Sequence, residues 1–301
     1  MSQHEQWDIA SGVGITALGV AAARAIESSR PDRLIADPLA AAFVDAVPGV
    51  VRSSLRWPED GAAVSQQDAL LLHTSTDVGL RARVFDDYLL AACRDGIGQV
   101  VVLAAGLDSR AFRLAWPPGL RLFEIDQPRV LEFKDAVLRD QDAQPRCTRL
   151  VVPVDLRGDW PVALRDAGFA ADLPTAWLAE GLLHYLDAAA EQALVSHIDD
   201  LSAPGSQIGV ERADVAGLMD RGGLRRVGES STVDMDQLFR TEPRPDPATW
   251  LAGRDWTVTV EPATAVAGRY HRDLVDPRLP GPPLRIAEHT AFLSAHRTGP
   301  T

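Results

Sequence analysis

Gly106 and Asp108, followed twenty residues after the glycine by Asp126, are residues whose types and spacing could do chemistry. They lie in "VVVLAAGLDSRAFRL" (residues 100–114) and "FEIDQP" (residues 123–128). A glycine just past an apolar run lets backbone N–H groups come close to a ligand. An acid about twenty residues further on suits hydrogen bonds to ribose hydroxyls. The dinucleotide fingerprint G-x-G-x-x-G is incomplete, because Ala104 and Ala105 hold the first small positions and Gly106 is the one glycine. A diphosphate prefers a helix start free of negative charge. Asp108 puts a carboxylate there, which suits an amine or a sulfonium better. The pattern therefore favours S-adenosylmethionine over a nicotinamide dinucleotide. An ordinary strand-to-helix turn at Gly106 and a helix N-cap at Asp126, before Pro128, are the plain alternatives.

Glu180 closes the apolar run of "PTAWLAEGLLHYL" (residues 174–186). A buried carboxylate is costly unless it is paired, so Glu180 requires a cationic or donor partner, either a ligand amine or an arginine. His184 and Tyr185 follow it, and His271 comes after Tyr270. Each is a candidate general base, although packing and surface positions are the commoner use of such residues.

These residues need elements to hold them. "QVVVLAA" reads as a strand covered on both faces. "LRLFEID", "TRLVVPVDL", "PTAWLAE" and "QIGVER" read as four more strands. Between them, "PRVLEFKDAVLRDQ", "WPVALRDAGF" and "AAAEQALVSHIDDL" read as helices. Such alternation implies an α/β fold, a mostly parallel sheet with helices on both faces. "DWTVTVEPA" and "HTAFLSAHR" read as two last strands that pair antiparallel. The expected organisation is one domain over 1–301. A helical part covers 1–95, a cofactor-binding core 96–212, a candidate lid 213–250 and the C-terminal strands 251–301.

Composition narrows the partners. The chain has 301 residues, 46% hydrophobic and 24% charged, with a formal net charge of -12. That balance suits a protein with a sizeable core, and it argues against nucleic acid, whose binding needs clustered Lys and Arg. Cys93 and Cys147 have no metal-ligand spacing, and no cluster of His or carboxylates suggests a metal, so none is expected. The uncharged run from Ile9 to Ala23 follows Glu5 and Asp8 with no preceding Lys or Arg. It lacks the basic start of a signal peptide and is too short to span a bilayer. A cytoplasmic protein without a membrane partner is expected.

Four stretches together carry a resemblance: "VVVLAAGLDSRAFRL", "FEIDQPRVLEFK", "VVPVDLRGDWPVAL" and "PTAWLAEGLLHYL". With "TALGVAAARAIESSRPDRLIADPLA" and "RARVFDDYLL", they resemble the leucine carboxyl methyltransferase-like family of S-adenosylmethionine-dependent O-methyltransferases, in its bacterial branch. The likeness covers about residues 8–212. It implies a Rossmann-like class I methyltransferase sheet with an antiparallel last strand. It also implies roles. Arg83, ahead of Arg81, would pair with the methionyl carboxylate, with Arg24 as a second basic residue. Ala105, Gly106 and Asp108 would line the methionine portion. Asp126, with Gln127 beside it, would hold the ribose, and Asp155 and Leu156 would flank the adenine. Glu180 would stand beside the sulfonium end. The acceptor is expected to be a small molecule of secondary metabolism, with a carboxylate nucleophile favoured over a phenol or alcohol. A nicotinamide-dependent oxidoreductase and a non-catalytic nucleotide-binding module are the competing readings.

Overall fold

Strand β1 (Gln99–Leu103) is buried along its whole length in the computed structural model, which describes residues 13–51, 53–220, 239–242, 244–282 and 284–299. Val100 and Val102 enter one apolar core while Val101 and Leu103 enter the other. That is why the run shows no polar alternation: helices cover both faces. Strands β2 (Arg121–Asp126), β3 (Thr148–Pro153), β4 (Thr175–Ala179) and β5 (Gln207–Ala213) run parallel to it. Strand β6 (Trp256–Pro262) and strand β7 (Thr290–Arg297) complete a seven-stranded sheet of order β3-β2-β1-β4-β5-β7-β6. β7 is antiparallel to both β5 and β6, as the expected last strand required.

The sheet order reverses between β1 and β4, and ligands in such folds bind at the carboxyl ends of the strands flanking that point. Register decides what stands there. Leu103 pairs with Ile125 on one side and Ala179 on the other, and Ala179 pairs with Val210. The next rung is therefore Asp126, Ala104, Glu180 and Glu211.

One helical layer holds α1 (Val13–Ser29), α2 (Ala40–Asp45), α3 (Gln66–Arg94) and α5 (Pro128–Asp140). The other holds α6 (Trp160–Asp166) and α7 (Ala188–Asp200). The short α4 (Arg110–Arg113) follows the β1 turn, and α8 (Val215–Asp220) follows β5. Two further short helices, α9 (Pro247–Ala252) and α10 (Ala263–Arg269), flank β6. α3 starts at a Ser65 cap, whose Oγ accepts the Asp68 N–H at 3.0 Å. The helical N-terminal part is interrupted between Ala46 and Ser65, where Pro48, Gly49, Pro58 and Gly61 support turns instead. Of the expected lid, residues 221–238 lie outside the described residues. Among the described residues, no helix is long and apolar enough to cross a membrane.

Candidate active site

Three acids in four neighbouring positions cannot share a rung without compensation. Two arginines supply it for Glu180 and Glu211. Arg81, from α3, places Nε 2.8 Å from Glu180 Oε1 and Nη1 3.0 Å from Glu211 Oε2. Arg110, from α4, places Nη1 2.8 Å from Glu180 Oε2 and Nε 2.7 Å from Asp86. The Arg110 guanidinium also pairs with Asp108, whose Oδ1 accepts the Arg110 N–H at 2.6 Å. Burial alone would raise the Asp108 carboxyl, but Arg110, Lys134 and Arg113 bring it down to about 2. Glu180 is likewise lowered, because Arg110 and Arg81 outweigh its burial.

The turn after β1 is held from β2. Asp126 Oδ2 accepts the Gly106 N–H at 2.6 Å, and Oδ1 accepts the Gln127 N–H at 2.6 Å. Burial nevertheless leaves the Asp126 carboxyl raised. Gln127, not Asp126, is the N-cap residue of α5. Ala104 and Gly106 both have left-handed backbones, at φ 51° and 48°. The nearest atoms to a Cβ added at Gly106 would be 3.9 Å away, so backbone angle and not space selects glycine there. For Ala104 the same region costs on the order of 1–2 kcal/mol, a strain that the surrounding turn must hold in place.

A cleft of about 200 Å³ opens at this edge. Gly106, Asp126 and Gln127 line one side, Asp155 and Leu156 another, and Glu180 and Tyr185 the far end. A recess of about 70 Å³, bordered by Ala105, Asp108 and Arg24, shares Arg81, Ala104 and Glu180 with it. Arg24 is buried there, with Nε 2.8 Å from Asp37 and Nη2 donating to the Leu107 carbonyl at 2.7 Å. Asp155 is forked by its neighbour Arg157 at 2.6 Å and accepts from Gln127 Nε2 at 3.3 Å.

A second chamber of about 170 Å³ lies beyond the shared wall made by Arg81 and Tyr185. Val78, Leu80, Leu218, Phe239 and Phe292 make it largely apolar, and Asp77, His184 and Glu211 are the other ionisable groups in its lining. It continues into a larger cavity of about 500 Å³, with which it shares His184 and Thr290. Two arginines of that outer cavity pair with acids: Arg212 with Asp246 at 2.9 Å and Arg244 with Glu191 at 2.8 Å.

Two candidates fall outside both chambers. Arg83 is 42% exposed and pairs with Asp87 at 2.9 Å, beside the Tyr270 ring. It stands two residues from Arg81, about 200° round the helix, so only one of the two can face the sheet edge. Arg81 is that one. His271 is exposed, in a left-handed turn (φ 52°) after α10, and lines neither chamber. His184 and Tyr185 do line the second chamber, packed against each other. Burial, with Arg81 and Arg244 nearby, lowers the His184 imidazole to about 3. Burial raises the Tyr185 phenol to about 12, and its hydroxyl donates to Thr16 Oγ1 at 3.1 Å. Arg110, Glu211 and Asp77 belong to the site without having been singled out. Arg110 stood in the Gly-x-Asp-x-Arg stretch itself, as the base beside the acid. Glu211 and Asp77 carry no motif.

The sequence pattern of the family described as leucine carboxyl methyltransferase matches residues 17–199. The chain belongs to that family. A Saccharopolyspora erythraea relative of the methyltransferase, provisionally named an S-adenosyl-L-methionine-dependent methyltransferase, is 49% identical over 278 residues, 92% of this chain and 94% of its own length. One from Mycobacteroides abscessus with the same provisional name is 43% identical over 305 residues, 98% and 95% of the two chains. Crystal structures share the fold of the methyltransferase at low identity. One is a provisionally named methyltransferase from Thermobifida fusca, with TM-score 0.51 and 17% identity over 92% of this chain and 94% of that one. Another is a DUF574 family protein from Streptomyces avermitilis, with TM-score 0.53 and 15% identity over 91% and 99%.

Proposed function

We infer that this chain moves a methyl group onto an oxygen of a small molecule. It is an S-adenosylmethionine-dependent methyltransferase, and the cleft at the β1–β4 edge is where its cofactor fits. The chemistry of the lining agrees. Asp126, fixed by two backbone N–H groups, keeps acceptor capacity for a ribose. Leu156, Val130 and Val154 offer an apolar slot for a purine, with the Asp155 carboxylate at its rim. The small residues Ala104, Ala105 and Gly106 leave the turn open. Arg24, which borders the recess where Arg83 does not, is the proposed partner of the amino-acid carboxylate, beside Arg81, Arg110 and Arg113 in the same lining. The cofactor supplies an electrophilic methyl group on a sulfonium.

The observation that carries the reading is the shared wall. Arg81 and Tyr185 border both the cofactor cleft and the apolar second chamber, so a small acceptor in the latter lies next to the former. Methyl transfer from a sulfonium is an in-line displacement, and the protein's work is alignment and exclusion of water. Packed aromatic and aliphatic side chains around the second chamber serve both ends. Either a carboxylate or a hydroxyl oxygen meets these requirements. The test is transfer of isotopic label from S-adenosylmethionine to a panel of small acids, phenols and alcohols. Label found only on nitrogen, sulfur or carbon acceptors would overturn the oxygen assignment.

A further inference from the structure

We propose that Asp77 is the general base of this enzyme and that its acceptor is a neutral hydroxyl compound, such as an alcohol, enol or phenol, not a carboxylic acid. This takes the methyl transfer proposed above as its premise and asks which oxygen the second chamber is built for. Asp77 lies on α3 four residues before Arg81, so the two side chains leave the same face of the helix one turn apart. Arg81 is the wall shared with the cofactor cleft, and Asp77 lines the chamber behind it. An acceptor filling that chamber therefore has the Asp77 carboxyl in its wall together with Arg81 and Tyr185, which also line the cofactor cleft.

The other groups facing this space are unsuited to take a proton or to hold an anion. Arg81 is the one cation in the described lining, and two carboxylates already occupy it. His184 is neutral, and at about 3 its imidazole is too weak a base to hold a proton at neutral pH. The Tyr185 phenol, at about 12, keeps its own proton. Glu211 accepts from Arg81 and from the Gly181 N–H at 2.8 Å. Asp77 remains. Burial pushes its carboxyl up to about 7, opposed by the Ala287 N–H and by Arg81 and seconded by Glu211. A base is most effective when its pKa lies near the working pH. The same environment repels a carboxylate acceptor, which would bring another negative charge beside Asp77 and Glu211 with no unpaired cation in the described lining to receive it. The balance of the step is simple. The acceptor O–H proton passes to an Asp77 oxygen as the acceptor oxygen forms its bond to the methyl carbon. The carbon–sulfur bond breaks and its electron pair stays on sulfur, leaving a neutral thioether. The Asp77 proton returns to solvent after the methyl ether leaves.

The test uses the full chain with labelled S-adenosylmethionine and matched acceptors, each phenol, enol or alcohol set beside the carboxylic acid of the same frame. Label should enter the hydroxyl series, with kcat/KM rising through about pH 7. Asp77→Asn should lower kcat roughly 10²–10⁴-fold and remove that pH dependence. Its affinity for S-adenosylhomocysteine by calorimetry should stay within about twofold, which a general loss of structure would not allow. Asp77→Glu should restore part of the rate. Label entering the carboxylic acids, at a rate Asp77→Asn leaves within about tenfold of the parent, would overturn the proposal while leaving the methyltransferase reading intact. Failure of the parent protein to bind S-adenosylhomocysteine would overturn both.

Discussion

The cofactor cleft and the second chamber stand on two sides of one arginine, yet they treat charge in opposite ways. In the cleft, Asp108 and Glu180 are matched by Arg110 and Arg81 within 2.8 Å or less, and both carboxyls are held below their ordinary range. In the chamber, Arg81 only partly offsets the burial of Asp77, and that carboxyl is raised. The lesson is that one arginine at a sheet edge can divide fixed charges on one side from a titrating one on the other. Pairing geometry, more than residue type, decides which. Fixed charges shape a binding site, and a poised one can move a proton.

The comparison breaks most visibly at Arg110. Arg110→Ala would leave Asp86, Asp108 and Glu180 buried without their common cation. Loss of one partner of a buried ion pair costs about 3–5 kcal/mol, so thermal denaturation should show severe destabilisation or no folded protein. Unchanged melting would mean that the cleft is not the charge-matched region described. Asp126→Ala comes next. Hydrogen bonds to charged groups contribute about 1.5–3 kcal/mol, so calorimetry should show S-adenosylhomocysteine bound roughly tenfold to a hundredfold more weakly. Normal binding would remove Asp126 from the ribose role.

Stability of Asp77→Asn sharpens the other side of the comparison. A carboxyl whose pKa is raised in the folded state costs nothing below its unfolded value of about 4 and its full amount above about 7. Without ligand, the asparagine variant should therefore melt higher than the parent at pH 8, by a few degrees, and the gap should close as pH falls towards 4. A gap that grows with acidity would have the wrong sign. The smallest effects belong to Arg83→Ala and His271→Ala. Arg83 gives up one half-exposed ion pair of about 0.2–1 kcal/mol. Both variants should keep cofactor affinity within about twofold in the same titration, and a tenfold loss in either would return that residue to the site.

Much of this was legible in the chain itself, and the failures share a cause. The parallel strands announced themselves as short apolar runs closed by acids or glycines, most clearly β1 and β4, because a strand buried on both faces leaves no room for polar alternation. Gly106, Asp126, Asp155 and Glu180 stood out because they follow such runs directly, and register carries them to the same edge. Arg81 and Arg83 could not be ranked by spacing alone, since helix phase relative to the sheet is a tertiary fact. His184 read as a base because sequence does not show how deeply a ring is buried. Asp77 lies in the helical stretch "HTSTDVGL" and acquires its character from burial, seconded by Glu211 and opposed by Ala287 and Arg81, none of which its own neighbourhood in the sequence shows.

The shared wall has a further consequence for how such a protein can diversify. Every residue lining the cofactor cleft falls between Gly14 and Leu186. Apart from Val78 and Leu80 on α3 and the Tyr185 ring, the apolar lining of the second chamber is drawn from Ala213 onward: Val215, Leu218, Phe239, Ile286 and Phe292. The two inheritances meet chiefly where Arg81 grips Glu211. A crossover in the exposed turn around Gly205, just before β5, would exchange chamber-lining segments between relatives in one event and leave the cleft-lining half untouched, provided the incoming strand brings its own glutamate to that arginine.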